Sequence, residues 1–143
     1  MAEATLLIDQ GNTRLKWVLA KAGEIDEKSA GQGDLEAFMQ AWQHDASCLP
    51  GLVLISSVAG REEARALADF CESMWGLKAQ LLESTVQRGG VRNAYAESKM
   101  LGVDRWLAIV GAVARHGKPV VIWDLGTAPH SMRSMKPGST WGG

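Results

Sequence analysis

Two short segments of this 143-residue chain carry the same arrangement of chemical groups. Ile8-Asp9-Gln10-Gly11-Asn12-Thr13 and Trp123-Asp124-Leu125-Gly126-Thr127-Ala128 share one layout: an apolar strand-like residue, an aspartate, any residue, a glycine, then small residues including hydroxyl or amide side chains. Glycine lets a backbone approach a phosphate closely, and the N–H, amide and hydroxyl groups after it can donate to the phosphate oxygens. The preceding aspartate can hold a cation, or its water shell, beside those oxygens. One Asp-x-Gly turn between strands is commonplace. Two of them, each directly after an apolar strand, would grip a polyphosphate from both sides. A third segment places Tyr95 ahead of Leu101-Gly102-Val103-Asp104-Arg105, with Asp104 and Arg105 in the first turn of an expected helix. The helix dipole favours a carboxylate there, so capping alone would account for Asp104.

These groups need elements to hold them. Thr5–Ile8 is a short apolar run, and Leu15, Trp17 and Leu19 alternate with Arg14, Lys16 and Val18, so two strands around a polar turn make a hairpin. A weak third strand is expected near Glu24–Ser29. Asp34 can cap a helix to about His44, with Leu35, Phe38, Met39 and Trp42 on one face. Leu52–Val58 reads as a buried parallel strand. A helix over Glu62–Trp75 lines up Ala64, Leu67, Ala68, Cys71 and Trp75 and stops at Gly76. Lys78–Leu82 is a further strand and Gly89-Gly90 a loop. A third helix, Val103–His116, ends at Gly117, and Val120–Trp123 is an apolar strand expecting cover on both faces. Pro129–Gly143 has no apolar period and reads as an irregular tail. Strands and helices in this order predict an α/β fold, a mixed sheet with helices packed on its faces.

Composition closes off several classes of function. Hydrophobic residues make up 46% of the chain, charged residues 22%, and the formal net charge is −1. That is too apolar and too neutral for disorder, and it lacks the basic excess of a nucleic-acid binder. No apolar run approaches the ~20 residues of a membrane helix, and no signal peptide opens the chain. Cys48 and Cys71 form no metal-ligand pattern and read as reduced cytosolic thiols, Cys71 as core filler. His44 and His116 read as solvated helix ends, and Trp17, Trp42, Trp75, Trp106 and Trp123 as inward-facing core.

The three segments together resemble the successive motifs of type III pantothenate kinases, the family that includes the Bvg accessory factors within the acetate and sugar kinase and actin superfamily. The likeness covers about Leu6–Ala128. It implies a ribonuclease H-like (actin-like ATPase) lobe and ATP-dependent phosphorylation of pantothenate in the cytoplasm, the first step toward coenzyme A. Carried over by position, Asp9, Gln10, Gly11, Asn12, Thr13, Arg14, Leu15 and Lys16 would form the first phosphate loop, and Gly126 and Thr127 the second. Asp104 would be the general base. Tyr95, Gly102, Val103 and Arg105 would line the pantothenate pocket with it, Arg105 offering a bidentate fork to the pantothenate carboxylate. Asp124 would hold a monovalent cation, potassium or ammonium, and ATP would arrive with Mg2+. The resemblance also implies a homodimer.

Two departures stand out. The family usually has proline three residues after the tyrosine; here Ser98 takes that place, which loosens the loop without removing a catalytic group. After Ala128 the family continues into a further half-domain, whereas this chain reads Pro129-His130-Ser131-Met132-Arg133-Ser134 and reaches Gly143. The expected layout is therefore a first lobe over 1–118, the opening strand and phosphate loop of a second lobe over 119–128, and an irregular tail over 129–143, with most of the second lobe missing and activity weak or absent. The rival readings are a non-catalytic ligand-binding fragment and another superfamily kinase with a different hydroxylated substrate. A substrate panel separates the two kinases.

Overall fold

Strand β1 (Ala4–Gln10) and strand β2 (Leu15–Lys21) form the expected hairpin, in register from Ala4 opposite Lys21 to Gln10 opposite Leu15. Leu15, Trp17 and Leu19 are buried, as their alternation requires. The computed structural model describes residues 3–43, 49–124, 130–136 and 139–142, with Asp124 and the last two segments described by backbone alone. Cys48 and His44 lie outside these residues. The chain divides into two compact units, Met1–Leu82 and Glu83–Gly143. No helix among the described residues is long and apolar enough to cross a membrane.

In the first unit, strand β3 (Glu24–Gly33) pairs antiparallel with β2, and strand β4 (Leu52–Ser57) runs parallel to β1. Strand β5 (Gln80–Leu81) completes a mixed sheet ordered β3-β2-β1-β4-β5. This is the ribonuclease H-like lobe the resemblance implies. Helix α1 (Leu35–Gln43) begins where Asp34 Oδ1 accepts the Ala37 N–H at 2.8 Å, and helix α2 (Arg61–Trp75) stops at Gly76 in the left-handed conformation. Leu6, Ile8, Val53 and Ile55 from the sheet meet Phe38, Trp42, Leu67 and Cys71 from the helices in one core.

The β2–β3 ladder breaks between Trp17 and Leu19. Ser29 repairs it: its Oγ accepts the Leu19 N–H at 2.7 Å and donates to the Asp26 carbonyl at 2.6 Å. Gly31 lies opposite Trp17, and a Cβ there would fall 2.3 Å from the indole. Only a glycine lets that ring lie flat across β3.

Burial pushes the Cys71 thiol up from 9.0 to about 12, partly offset by a backbone hydrogen bond. The thiol is therefore protonated at neutral pH, and alkylation of Cys71 at pH 8 should be slow until the chain unfolds, as peptide mass spectrometry will read. Because the folded pKa is raised, this group's contribution is fully present below pH 9 and is lost as pH rises toward 12. Cys71→Ala should lack that part of the alkaline decline in urea midpoint.

The second unit opens with a hairpin. Strands β6 (Gln87–Arg88) and β7 (Val91–Arg92) pair around Gly89 and Gly90, whose φ angles of +56° and +74° suit a two-residue turn. A 3₁₀ turn at Ser98–Met100 leads to helix α3 (Val103–His116), which buries Val103, Trp106, Ile109 and Val113. Strand β8 (Val120–Asp124) pairs with β9 (His130–Lys136), and β9 with β10 (Ser139–Gly142), all antiparallel.

Four expectations are corrected. The Gly89-Gly90 loop is a hairpin turn, too short to show a strand period. The fifth strand shrinks from Lys78–Leu82 to Gln80–Leu81, an exposed edge paired only to Leu54 and Ile55. The supposedly irregular stretch beyond Pro129 contains β9 and β10; their polar sequence has no apolar alternation to betray a strand held by backbone pairing. Finally, Val121 and Trp123 are 59% and 70% exposed, while Val120 and Ile122 pack on the α3 core. β8 is covered on one face, so Trp123 is no core residue. The shared core of α3 and β8 lies within the second compact unit, Glu83–Gly143.

Candidate functional site

The first phosphate-type turn sits where β1 and β2 meet. Gly11 N–H donates to the Arg14 carbonyl at 2.9 Å, closing the loop, and the Gln10 carbonyl accepts the Val58 N–H at 3.0 Å. Asn12, Thr13 and Arg14 are exposed, so their donors face outward from a rigid base. Gln10 is different. Its buried carboxamide donates from Nε2 to the Glu63 carbonyl at 3.2 Å and accepts from Ser57 Oγ at 2.9 Å. The amide thus ties the end of β1 to β4 and to the first turn of α2.

The turn has two faces. A pocket of about 210 Å³ lies on the Gln10 side, lined by the turn together with Asp34, Ala59 and Glu63. Asp9 is not among its lining residues: strand alternation turns it to the opposite face, where its register neighbours are Lys16 and Ser56. Asp34, Glu63 and Arg14 line the pocket side, and Lys16 lies opposite Asp9 in the register. Ser57, Glu63 and Asp34 were not singled out from the sequence as site residues. The only signal for them was positional, since a strand end and two helix starts converge on one turn.

In the second unit, Tyr95 is half-buried against the α3 core, and its N–H donates to Asn93 Oδ1 at 3.1 Å. Gly102 is the N-cap of α3, Val103 its buried first residue, and Asp104 and Arg105 are half-buried in its first turn. Asp104 Oδ1 accepts the Arg105 N–H at 2.8 Å. That bond orients one carboxylate oxygen at the helix N-terminus. Asp124 ends β8; its side chain, and Gly126 and Thr127, lie outside the described residues. The first-loop residues and the Tyr95–Arg105 group belong to different compact units.

Ser98 gives a direct test of how this loop is held. It opens the 3₁₀ turn, and Glu97 before it is extended at φ −107°, ψ 117°. That is the geometry a following proline demands, and the Ser98 N–H has no partner among the described residues. Ser98→Pro should therefore stabilise the protein by about 0.4–1 kcal/mol by narrowing the unfolded ensemble. Chemical denaturation would read the gain, and a loss would mean the backbone there is not proline-like.

Among the described residues no three His, Cys, Asp or Glu side chains gather as a metal cage. A divalent ion that arrives already bound to phosphates needs no such cage, only a carboxylate such as that of Asp9 at the end of β1.

Comparison with known proteins extends these observations. The family model for type III pantothenate kinase matches residues 5–135. A type III pantothenate kinase of Paraburkholderia phymatum is 36% identical over 140 residues, covering 90% of this chain and 48% of the relative. Those of Aromatoleum aromaticum and Nitrosococcus oceani are 36% and 30% identical over 132 residues, each covering 86% of this chain. The chain spans about half the length of the curated relatives it matches.

Proposed function

The chain belongs to the type III pantothenate kinase family, and from that premise we propose that the protein transfers the γ-phosphoryl group of ATP to the primary hydroxyl of pantothenate. The products are 4'-phosphopantothenate and ADP, and the reaction opens coenzyme A synthesis. The observation that carries this reading is the order of three motifs, Asp9–Thr13, Tyr95…Arg105 and Asp124–Ala128, within the matched residues 5–135.

The roles are those the resemblance implies, and the residue types support them. The pantothenate hydroxyl oxygen bonds to the γ-phosphorus as the bond to the β-phosphate oxygen breaks. Asp104 takes the hydroxyl proton with the oxygen not engaged by Arg105 N–H. Arg105 pairs with the pantothenate carboxylate, and Tyr95, Gly102 and Val103 shape the pocket around it. Asn12, Thr13, Arg14 and Lys16 donate to the phosphates, with Gly11 permitting their approach and Gln10 and Leu15 fixing the turn. Asp9 and the phosphates would hold Mg2+, which would supply charge neutralisation when bound.

The remainder of the proposal rests on the resemblance. Asp124 holds a potassium or ammonium ion, Gly126 and Thr127 form the second phosphate loop, and the enzyme works in the cytoplasm as a homodimer. Residues 1–118 then belong to the first lobe and 119–128 to the opening of the second. The deciding experiment is mass-spectrometric detection of phosphopantothenate with a panel of alternative hydroxylated substrates. Pantothenate-dependent ADP release is the expected result. Turnover of a sugar or another acid in its place would assign the protein to a different kinase.

A further inference from the structure

Tyr95 is the sole tyrosine of the chain, and the segment carrying it has little regular structure of its own. Something else must hold it. Asn93 is buried, 7% exposed, just before it. Its Nδ2 donates to the Thr85 carbonyl at 3.3 Å and to the Ser98 carbonyl at 3.1 Å, while its Oδ1 accepts the Tyr95 N–H at 3.1 Å. Its own N–H donates to the Val86 carbonyl at 2.8 Å. Only one orientation of the amide satisfies two carbonyls and an N–H together, so the network fixes the side chain uniquely.

We infer that Asn93 is a positioning residue for the pantothenate pocket, its carboxamide clasping the strand before Tyr95 to the turn after it and so fixing where the ring stands. The inference rests on the proposed substrate. The clasp joins three points of the chain: Thr85, Tyr95 and Ser98. It does at Ser98 what a proline ring does by covalent restraint. Breaking it takes the Nδ2 donor from the part-buried Thr85 and Ser98 carbonyls and frees the loop between them, so substrate binding must then order Tyr95 itself. All the partners of the network, Thr85, Val86, Tyr95 and Ser98, lie within the second unit.

The test uses the full chain with 3-fluorotyrosine at Tyr95, read by fluorine NMR. The wild-type resonance should be single and narrow and should move when pantothenate is added. In Asn93→Ala it should broaden or split, and the dissociation constant for pantothenate should rise about three- to tenfold, the cost of ordering one such side chain. ATP affinity should change less than about twofold, since none of the clasp's partners belongs to the first phosphate loop. Val113→Ala, which loosens the same core away from the loop, serves as the control for lost stability and should leave both readouts near wild type.

A narrow resonance with unchanged pantothenate affinity in folded Asn93→Ala would overturn the inference. So would an equal effect in Val113→Ala. Should Asn93→Ala fail to fold, Asn93→Asp decides the matter, because it keeps the acceptor for Tyr95 and loses both donors. Weaker pantothenate binding with normal ATP binding supports the clasp, and unchanged pantothenate binding overturns it. If wild type ignores pantothenate yet the Tyr95 resonance still broadens in Asn93→Ala, the substrate assignment fails while the positioning of Tyr95 stands.

Discussion

In the proposed kinase, Asp104→Asn should lower kcat for pantothenate phosphorylation by about 10²–10⁴-fold, the usual worth of a general base, with the KM for ATP nearly unchanged. Asparagine is the informative replacement. Its carbonyl oxygen can still accept the Arg105 N–H that holds Asp104 Oδ1 at 2.8 Å, so the side chain keeps its place in the first turn of α3. What disappears is the capacity to take a proton. The helix loses a favourable charge at its N-terminus, worth about 0.3–1 kcal/mol, which is too little to unfold it. Steady-state kinetics beside circular dichroism separates the chemical loss from a structural one. Near-normal kcat in a folded variant would mean that another group accepts the proton. Asp9→Asn should behave differently, because its proposed place is beside the phosphates: there the loss belongs chiefly in ATP binding.

The sequence made the first unit legible because its elements carry strong periods. Leu15, Trp17 and Leu19 alternate and are buried; Ala64, Leu67 and Cys71 recur at helical spacing and face the core. Where a strand is held by backbone pairing instead of a buried face, the sequence says little. β9 and β10 are mostly polar, with Met132, Met135 and Trp141 at no strand period, and β6 and β7 are two residues each. Trp123 misled for a related reason: an apolar run such as Val120–Trp123 does not reveal which face will be covered. The candidate site divides in the same way. Residue types marked Asp9, Asp104 and Arg105, since their chemistry is in the side chain. Gln10 and Asn93 act through hydrogen bonds to distant carbonyls, and nothing in an isolated glutamine or asparagine announces those partners.

The largest stability effect should come from Phe38→Ala, at about 3–5 kcal/mol. Phe38 is fully buried and sits at the meeting of three elements. Its ring lies edge-on to Trp17 of β2 at 5.2 Å and to Phe70 of α2 at 5.8 Å, and tilted against Trp42 of its own helix at 6.3 Å. Truncation removes the apolar transfer term and these ring contacts together. The neighbours cannot close the space cheaply. Trp17 is pinned against Gly31, and Trp42 and Phe70 each also pack on Trp75. Phe38→Leu fills much of the volume and should cost considerably less. Urea unfolding followed by tryptophan fluorescence measures both variants, with Trp17, Trp42 and Trp75 reporting on this cluster directly. A loss below about 1 kcal/mol for Phe38→Ala would show that the aromatic cluster relaxes around the gap. In that case the sheet rests on its ladders and the aliphatic core of Leu6, Ile8, Val53 and Ile55 instead.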